Sequence, residues 1–111
     1  MSAFSYILVD REVVPVTFEE WVAWHDGQPG KHPSMTTQIA KDAVGGVRVS
    51  TVFLGIDHGF GQGAPVVFET MTFGEPFEQL CWRYTSQDAA EAGHARIVAA
   101  LIAGEDLNDF D

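Results

Sequence analysis

Hydrophobic positions along the chain fall into short β-type runs, interrupted by two stretches with helical spacing. Ser5 to Val9 (SYILV) and Val13 to Val16 (VVPV) are the first runs, with Asp10, Arg11 and Glu12 turning between them. Pro15 has no N–H to give to a ladder, which places the second run at a sheet edge. Thr17-Phe18-Glu19-Glu20 then has the form of a capping box, in which Thr17 and Glu20 satisfy each other's backbone N–H. Trp21 and Trp24 share one face of the resulting helix with Phe18. Gly27, Pro29, Gly30 and Pro33 forbid its continuation, so it is short, about eight to ten residues.

Met35 to Lys41 (MTTQIAK) and Val47 to Ile56 (VRVSTVFLGI) are the next strands, joined through Ala43 to Gly46. The second carries the strongest β signal, dense in Val, Thr, Ile and Phe. Alternation sends Val47, Val49, Thr51 and Phe53 one way and Arg48, Ser50, Val52, Leu54 and Ile56 the other. Both faces are apolar toward the end, which marks a central strand. After a glycine-rich connection come Val66 to Phe73 (VVFETMTF) and Leu80 to Tyr84 (LCWRY). Thr85 or Ser86 caps a longer helix running to about Ala103. Its apolar stripe is Ala90, His94, Ile97, Val98, Leu101 and Ile102, and Gly104 stops it. The pattern predicts an α+β fold: a mainly antiparallel β-sheet packed by a C-terminal α-helix, with a short N-terminal Trp-containing helix. Residues 1–104 form one domain on this reading, and residues 105–111 an acidic tail.

Composition narrows the class. The chain has 111 residues, 46% hydrophobic and 12% aromatic, enough to build a core and to exclude a disordered chain. No apolar run approaches the ~18–20 residues of a bilayer span. Met1 to Phe4 has no basic character and Asp10, Arg11 and Glu12 break the following run, so no signal peptide is expected. The single Cys81 has no internal disulfide partner and fits a reducing cytoplasm. Sixteen acids against six bases give a net charge of −10. Direct nucleic-acid binding and attraction to an anionic membrane are therefore not expected. Glu105, Asp106, Asp109 and Asp111 hold four of the acids, so the body without them carries −6. The acids are either a solvated surface or a docking face that imitates nucleic acid for a basic host protein.

Candidate chemistry is sparse. Gly59, Gly61 and Gly63 alternate like a phosphate loop, yet Pro65 and a strand follow where a helix should, and the P-loop lysine is missing. Those glycines are a flexible connection or a place where backbone N–H groups approach a ligand. Asp57 ends the preceding strand in an Asx-type turn, and His58 beside it is a candidate contact residue. Glu69 shares its face with Val67, Met71 and Phe73, so either that face of the sheet is exposed, or Glu69 pairs with Arg48 or Arg83, or it is a buried acid in a pocket. Arg83, one of few bases in an acidic chain, either neutralises Glu69 or holds an anionic group. His94 on the helix stripe is a satisfied structural histidine or a ligand contact. Trp21 and Trp24 are core filler or interface anchors, and a tryptophan is available to stack on a base. No HExxH, paired CxxC or two-His-plus-carboxylate spacing occurs, so no metal and no cofactor is assigned. A sheet with two apolar faces and only two helices leaves surface for a homo-oligomer to cover.

The residues TVFLGIDH (Thr51 to His58), FETM (Phe68 to Met71) and RYTSQDAAEAGH (Arg83 to His94) follow VVPVTFEEWVAWHDG (Val13 to Gly27) in an order that resembles a family of small bacteriophage and prophage proteins with no assigned activity. The resemblance runs from about Tyr6 to Ala103 and implies a protein acting in an infected bacterial cytoplasm. Three functions are compatible with these readings. The first is a non-catalytic accessory protein that captures a small anionic, nucleotide-like ligand through Arg48, His58, Arg83 and the glycine loop. The second is an inhibitor of a host protein, working through an acidic surface. The third is a small hydrolase using Glu69 and His94, which requires those groups to lie within about 3–4 Å.

Overall fold

The computed structural model of the chain describes residues 5–31, 35–59 and 63–110. Strands β1 (Ser5–Val9) and β2 (Glu12–Val16) pair as an antiparallel hairpin with Ser5 opposite Val16 and Val9 opposite Glu12. Its two turn residues, Asp10 and Arg11, have φ of 50° and 71°. That pair of left-handed residues matches the twist of the flanking strands, which is why so short a turn suffices. Helix α1 (Phe18–Asp26) begins with both halves of the capping box formed, Thr17 Oγ1 accepting from Glu20 N and Glu20 Oε1 accepting from Thr17 N.

The second sheet holds β3 (Thr37–Val44), β4 (Val47–Phe53), β5 (Phe68–Phe73) and β6 (Cys81–Tyr84), each antiparallel to its neighbour in that order. β4 is interior, as its two-sided apolar pattern requires. Helix α2 (Gln87–Ile102), capped by Ser86 accepting from Ala89 N, crosses one face and touches all four strands. The fold is α+β, with two antiparallel sheets.

Alternation divides the large sheet cleanly. Val49, Thr51, Phe53, Phe68, Thr70 and Thr72 are fully buried beneath α2. The intervening residues form the opposite face, which no element covers among the described residues. The core has two apolar clusters on the helix side. One joins Val49, Ile97, Ala100 and Leu107; the other joins Phe53, Val67, Phe68 and Ala90, with Tyr6, Leu8, Val13 and Trp24 packed on it. The hairpin and α1 thus extend α2's cover over that end of the sheet.

A bulge in β3 between Gln38 and Ala40 resets its phase. The Gln38 amide stabilises it, its Nε2 donating to Ala40 O at 2.8 Å and Thr51 O at 3.0 Å. Gln38 opposes Val52 and Lys41 opposes Ser50, so both lie on the uncovered face although three residues apart. In a regular strand that spacing would send them to opposite sides.

Two expectations change, and one open alternative is resolved. Ile102 is 72% exposed, whereas Gly93 and Ala100 join the buried stripe of α2. Gly93 is there because Tyr84 lies against it: a Cβ would stand 2.4 Å from the phenol oxygen. Residues 105–110 are not a free tail. Leu107 is 1% exposed in the core, and Phe110 meets Trp82 edge-on while Arg96 sits over its ring. The acids at 105, 106 and 109 are exposed on this docked segment, and residue 111 lies outside the described residues. Finally, Trp21 and Trp24 are packed within the fold. Trp21 is 4% exposed, stacked between Phe18 and His25, and Trp24 meets the Phe53 ring edge-on at 5.5 Å.

Candidate functional site

The uncovered sheet face holds a groove of about 400 Å³. Its floor is Val52, Met71 and Phe73, its polar lining includes Ser50, Gln38 and Thr36, and its charged groups are Lys41, Arg48 and Glu69. Arg48 lies over the Phe73 ring, 5.2 Å from its centre. Stacking of this kind orients a guanidinium while leaving its N–H donors free in the plane. Neither Lys41 nor Arg48 has a carboxylate partner among the described residues. This matters because acids outnumber bases so heavily here. Arg11 is held by Asp88 and Glu91, and Arg83 is held by Glu69.

Glu69 stands on β5 opposite Val52 on one side and Arg83 on the other. Its side chain is 14% exposed, and Oε2 accepts from Arg83 Nε at 3.1 Å and from the Cys81 thiol at 3.3 Å. This is the pair with Arg83 that the sequence made available. Partial burial and the neighbouring Glu69 push the Cys81 thiol up to about 11, so it is exposed but protonated at neutral pH.

On the other face lies a continuous chain of buried hydrogen bonds. The Tyr84 phenol donates to Thr70 Oγ1 at 3.1 Å, Thr70 and Thr51 share a 2.5 Å bond, and Thr51 Oγ1 lies 2.7 Å from His94 Nδ1. His94 Nε2 in turn meets Asp42 Oδ2 at 2.7 Å. A carboxylate only accepts, so Nε2 donates to Asp42, and in the neutral imidazole Nδ1 accepts from Thr51. The Thr70 and Thr51 hydroxyls then each donate once and accept once, and the Tyr84 phenol donates. Burial pushes the Tyr84 phenol up, which keeps it a donor. Asp42, His94 and Thr51 have the order of a catalytic triad, but Thr51 is fully buried and its hydroxyl is already engaged on both sides. The chain fastens α2 to all four strands.

The other candidates divide as follows. Arg48 and Glu69 both line the groove, at opposite ends of it, with Arg83 beside Glu69. His94 does not, since it lies beneath α2 on the opposite face of the sheet from Glu69. The hydrolase arrangement joining those two residues is therefore not formed. His58 is exposed and its N–H donates to Val66 O. Asp57 makes the expected turn, its Oδ1 accepting from Gly59 N at 2.7 Å and Val66 N at 2.8 Å. His58, Gly59 and Gly63 do not line the groove, and Gly61 lies outside the described residues. Trp21, Trp24 and Trp82 are all on the helix side, so base stacking on a tryptophan is not available in the groove. Lys41 is the site residue that sequence reasoning missed. Only the bulge at Gln38 turns it to this face, and a lone glutamine carries no recognisable bulge signal.

The described residues contain no cluster of three or more His, Cys, Asp or Glu side chains arranged to hold a metal. No helix among them is long and apolar enough to cross a membrane. The chain matches no known protein-family profile, no curated protein and no solved structure. What fold and groove define is an α+β domain whose sheet has one helix-covered face and one open, partly cationic face.

Proposed function

We propose that the protein is a non-catalytic binding protein that captures a small anionic ligand on the open face of its four-stranded sheet. The observation carrying this reading is the placement of Lys41 and Arg48, without acidic partners, in a groove of a chain whose net charge is −10. An anion in the groove replaces water around two cations and covers the apolar floor, so charge and burial favour the same occupant. The resemblance to small phage proteins adds a context, the sequestration of a nucleotide-like host signal in an infected bacterial cytoplasm.

Isothermal titration with AMP, and with inorganic phosphate as the headgroup alone, tests the reading. Saturable AMP binding that Arg48→Ala and Lys41→Ala each weaken at least tenfold supports it. No saturable binding of either probe, or binding indifferent to both substitutions, refutes it. Native mass spectrometry of the same sample reports any retained small molecule and the oligomer mass, for which a homo-oligomer is expected.

A second reading is favoured by the docked C-terminal segment, which holds Glu105, Asp106 and Asp109 exposed on a fixed scaffold. Such a rigid acidic edge suits a basic host protein. The triple change Glu105→Gln, Asp106→Asn, Asp109→Asn tests it without removing Leu107 from the core. Unchanged capture of host proteins by that variant ends this reading.

A further inference from the structure

We propose that the groove selects a bipolar ligand, one bearing an anionic group at one end and a hydrogen-bond donor, best a primary ammonium, at the other. This rests on the anion-binding reading above and adds the chemistry of the far end.

Strand register sets the order of groups along the groove. Arg48 opposes Phe73, Ser50 opposes Met71, and Val52 opposes Glu69. Lys41 opposes Ser50 from the β3 side. Reading along β4, the groove therefore passes from Arg48 over Phe73, through Lys41, Ser50 and Met71 in the middle, to Val52 and Glu69. Arg48 and Val52 are four residues apart, roughly 13 Å of strand. The two charged ends are thus separated by the length of a small elongated molecule rather than by one contact.

The state of Glu69 supplies the specificity. Its Oε2 is occupied by Arg83 Nε and by the Cys81 thiol. Nothing among the described residues donates to Oε1, and the side chain is 14% exposed. Arg83 holds the carboxylate in place from the β6 side while the groove side keeps an open acceptor. A ligand with a purely apolar tail would strip water from Oε1 and offer nothing in return, which is costly for a charged oxygen. A ligand with a second anion at that end would set like charges together. An ammonium or hydroxyl donor meets the open acceptor directly. Met71 in the middle row and Val52 beside Glu69 give a methylene spacer an apolar floor.

Calorimetric titration of the full chain with hexanoate, 6-aminohexanoate, 8-aminooctanoate and adipate separates these cases. The expected result is that one of the amino acids binds at least tenfold tighter than hexanoate, with adipate the weakest. In Glu69→Gln the advantage of the amino group is lost, hexanoate still binds, and adipate gains because Arg83 is released. Arg48→Ala weakens all four probes, and thermal melts of both variants confirm that they fold. If hexanoate equals the amino acids, or if their advantage survives Glu69→Gln, the bipolar proposal falls while the anion site stands. If none of the four binds, the bipolar proposal falls, and the AMP and phosphate titrations decide separately whether the anion reading beneath it stands.

Discussion

Replacing Thr51 by valine removes the one hydroxyl through which His94 and Thr70 meet. Valine matches threonine in shape, so the change opens no cavity and isolates the polar loss. Thr51 is fully buried, and its Oγ1 contacts Thr70 Oγ1 at 2.5 Å and His94 Nδ1 at 2.7 Å. Two hydrogen bonds are lost at about 1 kcal/mol net each, and stranding a buried partner costs about 1–3 kcal/mol more. His94 Nδ1 is left without a donor in a residue only 5% exposed. The expected destabilisation is therefore roughly 3–5 kcal/mol, or about 12–20 °C in Tm at about 4 °C per kcal/mol for a domain of this size. Tyr84→Phe is the internal comparison, because it removes only the terminal donor and leaves the rest of the chain paired. Its cost should stay within about 0.5–1.5 kcal/mol. Urea unfolding followed by tryptophan fluorescence, with thermal melts by circular dichroism, measures both. Thr51→Val no more destabilising than Tyr84→Phe would show that the buried chain does not fasten α2 as described.

The remaining predictions use other parts of the structure. Gly93→Ala should destabilise by about 1–3 kcal/mol, because its Cβ would enter the Tyr84 phenol at 2.4 Å, and the gain in helix propensity of about 1 kcal/mol does not offset overpacking; a melting temperature above wild type would contradict the close contact. Leu107→Ala should cost about 2–5 kcal/mol, as for a fully buried leucine, and an effect below about 1 kcal/mol would mean the C-terminal segment is not docked in solution. Cys81 should react with a thiol-disulfide reagent at pH 8 far more slowly in the folded protein than in urea, since a thiol raised from about 9 to about 11 has a thiolate fraction roughly 100-fold lower. Because the folded value is the higher one, the stability this thiol contributes is complete below about pH 9 and lost as the pH rises through about 11. Glu69→Gln should speed the labelling by removing the acceptor; equal native and unfolded rates would show that the thiol is not shifted.

Local rules in the chain determined most of the secondary structure. The Thr17–Glu20 box, the Ser86 cap, Gly104 after α2 and the alternation through Val47 to Phe53 each act over a few residues, so they are legible without knowing the fold. Glu69 was legible as an anomaly, a carboxylate on an apolar strand face, and Arg83 as one of its two candidate partners; the register chose between them. Tertiary structure decided what depends on which surface meets which. Leu107 and Phe110 read as part of an acidic tail until Val49, Ile97 and Trp82 are seen to receive them. His94 read as a candidate contact until Asp42 and Thr51, distant in sequence, closed around it. Lys41 entered the groove only through a one-residue bulge, and a shift of one residue inverts every side chain that follows it. A strand's period can be read from its own residues, but its phase against its neighbours cannot, and the phase determines which charges share a face.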